Sequence, residues 1–593
     1  MTTHRPSALA PSRLRGPPQP EPAAPDLVAL LARAARTPIG VTFVGLHEEE
    51  TQLSWSDVHA RSRRVAAGLE RLGVGPGERV ALVLRTEPAF LDAFFGTLLA
   101  GAVPVPLYPP VRLGRLDEYV ATTARMITVS GARLVLASAS VKPLLGEVVA
   151  RSRPALGCRS VDALRETGGV LERASRPDAL AVVQFSSGST VEPKPVALTH
   201  GGVVAQISSF LAELRPDGDD VLVSWLPLYH DMGLIGGLLG ALAYPGPAVL
   251  LAPEHFLARP ALWLRTLSRC RGTISAAPDF AYAYAAARVR DADLDGVDLS
   301  CWRIALDGAE PISAEALRRF AARFGRFGFD ARALTPVYGL SEATLAVTFT
   351  PPGRGWRSCS LDPGALATRG SVVAGSLEVV SVGVPVAGVE VEVRGSRGEV
   401  VAQRTLGRIL VRSRSAMRGY LGDAGCSAGD RWLDTGDLGF VADGELFVHG
   451  RAKDVVIVRG ANHAPDEFEA PLVSVAGVRT GCAVAVGKVG EDGREQLVVL
   501  VERSGPAADD AETQDRVREA LLGATGIAPD EVVLLAPGTL PRTSSGKLRR
   551  GEALRRHLAG ALTPPRRMSA LGLAAAVLRS TVSYARTARG SGA

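Results

Sequence analysis

Between Gln184 and His200 the chain reads QFSSGSTVEPKPVALTH, with five hydroxyl side chains, one glycine, two prolines and one lysine. Hydroxyls and backbone N–H groups on a tight loop can surround phosphate oxygens. Ser186, Ser187, Gly188, Ser189, Thr190 and Lys194 are therefore candidate phosphate contacts. The spacing is not that of the triphosphate loop G-x-x-x-x-G-K-[ST]. A polar surface turn of the same composition is the competing reading.

Such a loop works only where rigid elements present it. ALAVVQF upstream reads as a buried strand and GGVVAQISSFLAEL downstream as a helix. The same alternation occurs earlier, with RVALVL and ARLVLAS as strands and EPAFLDAFFGTLLAGAV as a helix ending at Gly101. Alternating elements imply parallel sheets covered by helices. After Pro385 come short strands separated by glycine turns, GVEVEV, GRILVR and GELFVHG. From Arg451 the strands DVVIVRG, CAVAVGKV and EQLVVLVE and the helix ETQDRVREALLGAT outline a compact α+β unit. The expected fold is α/β: a large N-terminal domain of parallel sheets with helices plus a small β-rich subdomain, then a small α+β C-terminal domain. The expected boundaries are 1–25 for a disordered Pro-rich lead, 26–450 for the large domain, 451–560 for the small domain and 561–593 for a basic amphipathic tail.

A length of 593 residues exceeds one core. The net charge of +6 is modest and the Lys and Arg are scattered, which argues against a nucleic-acid partner. The six cysteines lie far apart and form no C-x-x-C pair, against a disulfide framework or zinc site and in keeping with a cytoplasmic protein. No apolar run is long enough for a transmembrane helix, and the N-terminus lacks the apolar segment of a signal peptide.

Further motifs follow the hydroxyl-rich loop in order: WLPLYHDMGL (Trp225–Leu234), DGAEP (Asp307–Pro311), YGLSEAT (Tyr338–Thr344), WLDTGDLG (Trp432–Gly439), GRAKD (Gly450–Asp454) and PRTSSGK (Pro541–Lys547). Taken together with SSGSTVEPK they resemble the adenylate-forming superfamily of acyl-CoA synthetases, nonribosomal adenylation domains and luciferases, over residues 26 to 560. The resemblance implies that a carboxylate attacks the α-phosphate of ATP, giving an acyl adenylate and pyrophosphate. Two anions must meet, so cations and N–H donors are required at the reacting centre. It implies Lys547 as the cation between carboxylate and α-phosphate, Glu342 as the Mg²⁺ ligand, and Ser189 and Thr190 on the pyrophosphate side. Asp437 would accept the ribose hydroxyls and Arg451 would donate to ribose or phosphate. Tyr338 would stack on adenine, with Gly308 and Ala309 opposite. Glu310, Gly339, Leu340 and Ser341 belong to the same nucleotide-binding motifs. His230 would stand where an acyl tunnel meets the nucleotide, and Lys453 would be the hinge of a mobile small domain. The superfamily usually has glycine where Val191 and Pro195 stand. Valine is poor at positive φ and proline lacks an N–H, so phosphate contact should fall to Ser186–Thr190 on a stiffer loop.

Three stretches are similar to the fatty acyl-AMP ligase branch: Ser224–Val289, Trp302–Val347, and an insertion at about 351–381. In that branch the insertion packs on the small domain and restrains the rotation needed for thioester formation with CoA; a bland surface loop is the alternative. Arg459, Asn462 and His463 also match the branch, whereas Ala464 departs from it. GLIGGLLGALA and ISAAPDFAYAYAAA offer small walls for an acyl tunnel, and core packing would use the same residues. The expected activity is ATP- and Mg²⁺-dependent activation of a fatty acid for a separate acyl carrier protein, since the chain has no phosphopantetheine attachment motif of its own. The alternatives are a fatty acyl-CoA ligase and a catalytically degenerate homologue that binds acyl chains or nucleotide. Beyond the resemblance, Leu571, Ala575, Leu578 and Val582 fall at helical spacing among Arg567, Arg579, Arg586 and Arg589. Such a helix could lie on an anionic membrane as a peripheral contact, dock on a carrier protein, or simply pack on the small domain.

Overall fold

The computed structural model describes residues 10–110, 113–186, 193–244, 246–423, 431–490, 494–543, 546–565 and 570–590. Four parallel strands, in the order Val103–Leu107, Arg79–Val83, Leu134–Ala137, Cys158–Ser160, form the first sheet. The first three are nearly continuous apolar runs because both faces are covered. A nine-stranded sheet follows. Its centre, Ile274–Ala277, Ile304–Asp307 and Leu334–Gly339, is parallel. Its margins turn antiparallel, where Leu334–Gly339 meets Ala346–Phe349 and Gly40–Val44 meets Glu50–Ser54. Trp263, Trp302 and Phe320 interlock edge to face behind it.

The hydroxyl-rich loop is not a strand-to-helix turn. Leu180–Phe185 pairs antiparallel with a second strand, Pro195–Thr199, and the helix His200–Leu214 begins only after it, capped by Thr199. In sequence, Pro195–Thr199 reads as part of the loop, because the polar residues on either side mask so short a β-prone run. Pro195 is tolerated because it opens the strand. Ser187, Gly188, Ser189, Thr190 and Val191 lie outside the described residues.

The β-rich subdomain is a five-stranded antiparallel sheet of Arg13–Arg15, Val389–Arg394, Gly407–Ser413, Leu433–Ala442 and Glu445–Arg451. Its first strand corrects the expectation of a disordered lead over residues 1–25 from Ala10 onward; residues 1–9 lie outside the described residues. Arg13 and Arg15 face Glu392 and Glu390, and Leu14 packs on the core. Opposite charges across a strand pair thus order a segment that has no hydrophobic run of its own.

In the insertion, the strands Ser358–Leu361 and Leu377–Val380 pair around the helix Pro363–Arg369. That helix lies against the small-domain strand Ala461–His463. The small domain has its own core, with Phe468, Leu472, Leu497, Val499, Val517 and Leu521 beneath the sheet Val478–Val489, Glu495–Arg503, Glu531–Leu535.

The tail forms the helix Ala570–Gly590, and it seats on the large domain rather than the small one. The Gly146 N–H donates to Ser580 Oγ at 2.6 Å and the Tyr584 hydroxyl donates to the Lys142 carbonyl at 3.0 Å. Arg579 pairs with Glu147 at 3.1 Å. A Cβ at position 146 would come within 2.0 Å of the Ser580 carbonyl oxygen, so glycine is what permits this approach. The seated face is Ala576, Ser580 and Tyr584, and it leaves Leu578 and Val582 exposed. Among the described residues no helix is long and apolar enough to cross a membrane.

Candidate active site

The two domains enclose a cleft of about 2540 Å³. Its walls include Ser186, His230, Ala309, Glu310, Tyr338, Gly339, Leu340, Ser341, Glu342, Asp437, Arg451 and Lys547. Residues spread over more than three hundred positions of sequence therefore face one space. Three expected contacts stand apart from that wall. Gly308 packs against Val337. The Lys194 ammonium sits over the Tyr420 ring at 4.7 Å. Lys453 is exposed at the junction, and the neighbouring protein mass lowers its proton affinity.

The strand Leu334–Gly339 delivers Tyr338, whose hydroxyl donates to Asp437 Oδ2 at 2.6 Å. Arg451 Nε meets Asp437 Oδ1 at 3.2 Å. Burial pushes the Asp437 carboxyl up, against the lowering pull of Arg451 and Tyr338. At Gly339 a Cβ would lie 1.9 Å from the Leu345 carbonyl oxygen, so the hairpin that follows requires glycine. Ala309 takes φ +71°, an unusual conformation for a residue with a side chain. It is held where Glu310 Oε1 accepts the Phe280 N–H at 2.7 Å.

His230 Nδ1 lies 2.7 Å from Asp231 Oδ1, and the Ser341 hydroxyl donates to the other Asp231 oxygen. Burial opposes charge on Asp231, but His230, Ser341 and Lys547 together hold its carboxyl well below the usual range. Asp231 also caps the π-helix Met232–Leu239, accepting from the Met232 N–H at 2.7 Å. Such helices are frequent at functional sites. Gly236, Gly237, Gly240 and Ala241 line the cleft on this element, with Leu234, Ile235, Leu238 and Leu239 in the core. The helix Asp279–Arg288 divides likewise: Phe280, Ala283 and Tyr284 face the cleft, and Ala281, Tyr282 and Ala285 face the core. Cleft wall and core packing are thus both served, by opposite faces.

Lys547 arrives from the small domain on a hairpin closed by the Thr543 N–H to the Lys547 carbonyl at 2.8 Å. Burial lowers its proton affinity, while the fields of Asp231 and Glu310 act in the opposite sense. Glu342 accepts the Tyr420 hydroxyl at 2.9 Å. No cluster of three or more His, Cys, Asp or Glu suited to a metal occurs among the described residues. A lone carboxylate nonetheless fits a Mg²⁺ that takes most of its ligands from phosphate and water.

Sequence reasoning missed Asp231, although it stands in the same motif as His230, and it missed Tyr420, which no motif marks. It also missed a buried acid pair. Asp279 and Asp307 face each other, with Asp279 accepting from the Ser313 N–H at 3.0 Å. Burial first raises both carboxyls; the charge of Glu310 then raises Asp279, to about 7, and the charges of Asp279 and Glu310 raise Asp307.

The family model for AMP-binding enzymes matches residues 30–421. A Caulobacter vibrioides protein whose name assigns it provisionally to the acyl-CoA synthetases is 34% identical over 90% of this chain and 96% of its own length. The long-chain-fatty-acid–AMP ligase FadD28 of Mycobacterium tuberculosis is 32% identical over 85% of this chain and 92% of its own. A structure from work on fatty acyl-adenylate ligases of E. coli and L. pneumophila superposes with a TM-score of 0.85 at 33% identity. It covers 92% of this chain and 100% of that one.

Proposed function

Because the chain belongs to the AMP-binding enzymes, we propose that it is a fatty acyl-AMP ligase. A fatty carboxylate oxygen attacks the α-phosphorus of ATP, the bond to pyrophosphate breaks, and the acyl adenylate is held for the phosphopantetheine thiol of a separate acyl carrier protein. The observation that carries this reading is the convergence of Lys547 from the small domain with Asp231, Glu310 and Asp437 from the large one. In that position the ammonium of Lys547 offsets the repulsion between carboxylate and α-phosphate. Asp437, with Arg451 beside it, takes the ribose. Tyr338 and Ala309 border the adenine, and the Gly236–Ala241 wall receives the acyl chain, each buried methylene of which contributes about 0.8 kcal/mol. Ser186, with Ser187, Gly188, Ser189 and Thr190, takes the pyrophosphate. Bound at Glu342, Mg²⁺ would neutralise polyphosphate charge.

Delivery to a carrier rather than to CoA is favoured by the insertion helix Pro363–Arg369 lying against the small-domain strand Ala461–His463, since that contact resists turning about Lys453. The five described cysteines are free, in keeping with a cytoplasmic setting. Exposed Leu578 and Val582 suit a peripheral contact with an anionic membrane, which vesicle co-sedimentation of the full chain against a chain ending at Pro565 tests.

The decisive experiment is fatty-acid-dependent ATP–pyrophosphate exchange, followed by product analysis with CoA or a phosphopantetheinylated carrier as acceptor. Exchange with carrier acylation supports the reading. Exchange with acyl-CoA as the main product replaces it by a CoA ligase, and absence of exchange leaves a non-catalytic binder.

A further inference from the structure

We infer that Arg115 is a positioning residue for the adenylation step, holding the Lys547 hairpin over the cleft; this rests on the proposed adenylation reading. Arg115 ends the short turn Leu113–Arg115 of the large domain and is 17% exposed. Its Nη2 donates to the carbonyls of Gly538 and Thr539, each at 3.0 Å, and to that of Thr563 at 3.3 Å. One guanidinium nitrogen therefore grips both a small-domain segment before the Lys547 hairpin and the stretch after the helix Arg550–Leu558 that leads into the tail.

The grip extends along a chain of alternating charge. Arg115 Nη1 donates to Glu118 at 3.0 Å, and Glu118 accepts Arg556 of the small domain at 2.9 Å. Arg556 in turn pairs with Glu552 on its own helix. Thr539 stands two residues before Pro541, where the hairpin begins, and the hairpin's described arms are tied to each other. Arg542 and Leu548 bridge antiparallel, and Arg542 Nη1 donates to the Gly546 carbonyl at 2.7 Å. A displacement at Gly538–Thr539 is thus carried to Lys547.

The acceptors are backbone carbonyls, so side-chain identity in the small domain matters little and the planar fork of Arg115 matters a great deal. A lysine ammonium reproduces only part of such a contact. Arg115 itself borders the cleft, yet its hydrogen bonds run to Glu118 and to backbone carbonyls beside the hairpin, so it acts through Lys547.

The test uses the full-length wild type, Arg115→Ala and Arg115→Lys. Fatty-acid-dependent pyrophosphate exchange in Arg115→Ala should lose about 100-fold in kcat, with KM for ATP within about twofold, because a misplaced group costs on that order. Arg115→Lys should recover part of the loss. Independently of turnover, amine acetylation read by mass spectrometry should label Lys547 several-fold faster in Arg115→Ala, with Lys488 of the same domain as the unchanged control. Unchanged kcat with unchanged labelling, a loss confined to KM, or equal acceleration at Lys547 and Lys488 would each overturn the inference. A wild type without exchange would overturn the adenylation reading and this inference with it, whereas an active wild type with an equally active Arg115→Ala overturns the inference alone.

Discussion

Tyr338 and Asp437 meet through a hydroxyl-to-carboxylate hydrogen bond of 2.6 Å, and each comes from a different sheet of the large domain. Asp437→Asn removes the charge that would receive two ribose hydroxyls, so KM for ATP is expected to rise at least tenfold. Tyr338→Phe keeps the ring and loses only the hydroxyl; its KM should rise no more than about threefold. Steady-state exchange kinetics check both, and a larger effect from the phenylalanine would reverse the assigned order of importance.

Lys547→Ala is expected to reduce exchange by at least a hundredfold while Tm stays within about 1 °C. Lys547 itself belongs to neither small-domain core cluster, although its hairpin neighbour Leu548 packs on one of them. Near wild-type formation of acyl adenylate by this variant would remove the lysine from the chemistry.

Glu342→Gln should shift the Mg²⁺ concentration for half-maximal exchange upward by on the order of tenfold, with metal-free ATP binding unaltered. Calorimetry with and without Mg²⁺ separates the two quantities. Equal losses in both would make Glu342 a partner of Tyr420 and nothing more.

The Asp279–Asp307 pair predicts a pH-dependent stability. Its carboxyls bind a proton more tightly in the folded chain than in the unfolded chain, where the ordinary value is about 3.9. The resulting stabilisation is complete below that ordinary value and is lost as pH rises through the raised one, about 7 for Asp279. Asp307→Asn, which supplies a permanent neutral partner, should raise Tm by roughly 2–5 °C at pH 8 and leave it nearly unchanged at pH 4. Calorimetric scans at the two pH values decide; an equal shift at both would show that charge is not the cause.

Deleting the insertion between Trp356 and Leu377 should raise acyl-CoA formation relative to free acyl adenylate by about tenfold. The deletion removes the helix that leans on Ala461–His463. Circular dichroism verifies the fold, and unchanged product ratios from a folded variant would show that the insertion is no restraint.

Much of this was legible in the sequence because the chemistry sits in short motifs and the strands are strong apolar runs. Lys547, Glu342, Asp437 and Arg451 could be named before any fold was known. The hairpin at Pro195–Thr199 could not, since its few residues run without a break into a helix of similar composition. Nor could the pairing of Arg13–Arg15, whose partners lie some 377 positions away at Glu390–Glu392. Asp231, Tyr420 and Arg115 act through contacts between distant elements, and such contacts leave no local pattern. The tail was read as amphipathic by its leucines, yet Ala576 and Ser580 make its seat, because close approach at Gly146 favours small side chains.

That seat changes the topology of the small domain. The chain leaves the large domain after Arg451 and is fastened to it again through the helix Ala570–Gly590. The small domain is therefore a closed loop anchored at both ends, not a free terminal lobe. Its last helix ends at Leu558 and the tail helix starts at Ala570, a contour of at most roughly 40 Å between them, along which Leu562 packs on the small-domain core and the Thr563 carbonyl accepts from Arg115. While the helix keeps its seat, any swing pivoting at one end is bounded at the other by that radius. A single backbone cut between Leu558 and Ala570 would unfasten the small domain from the tail helix while leaving Lys547 joined to the large domain through Arg451.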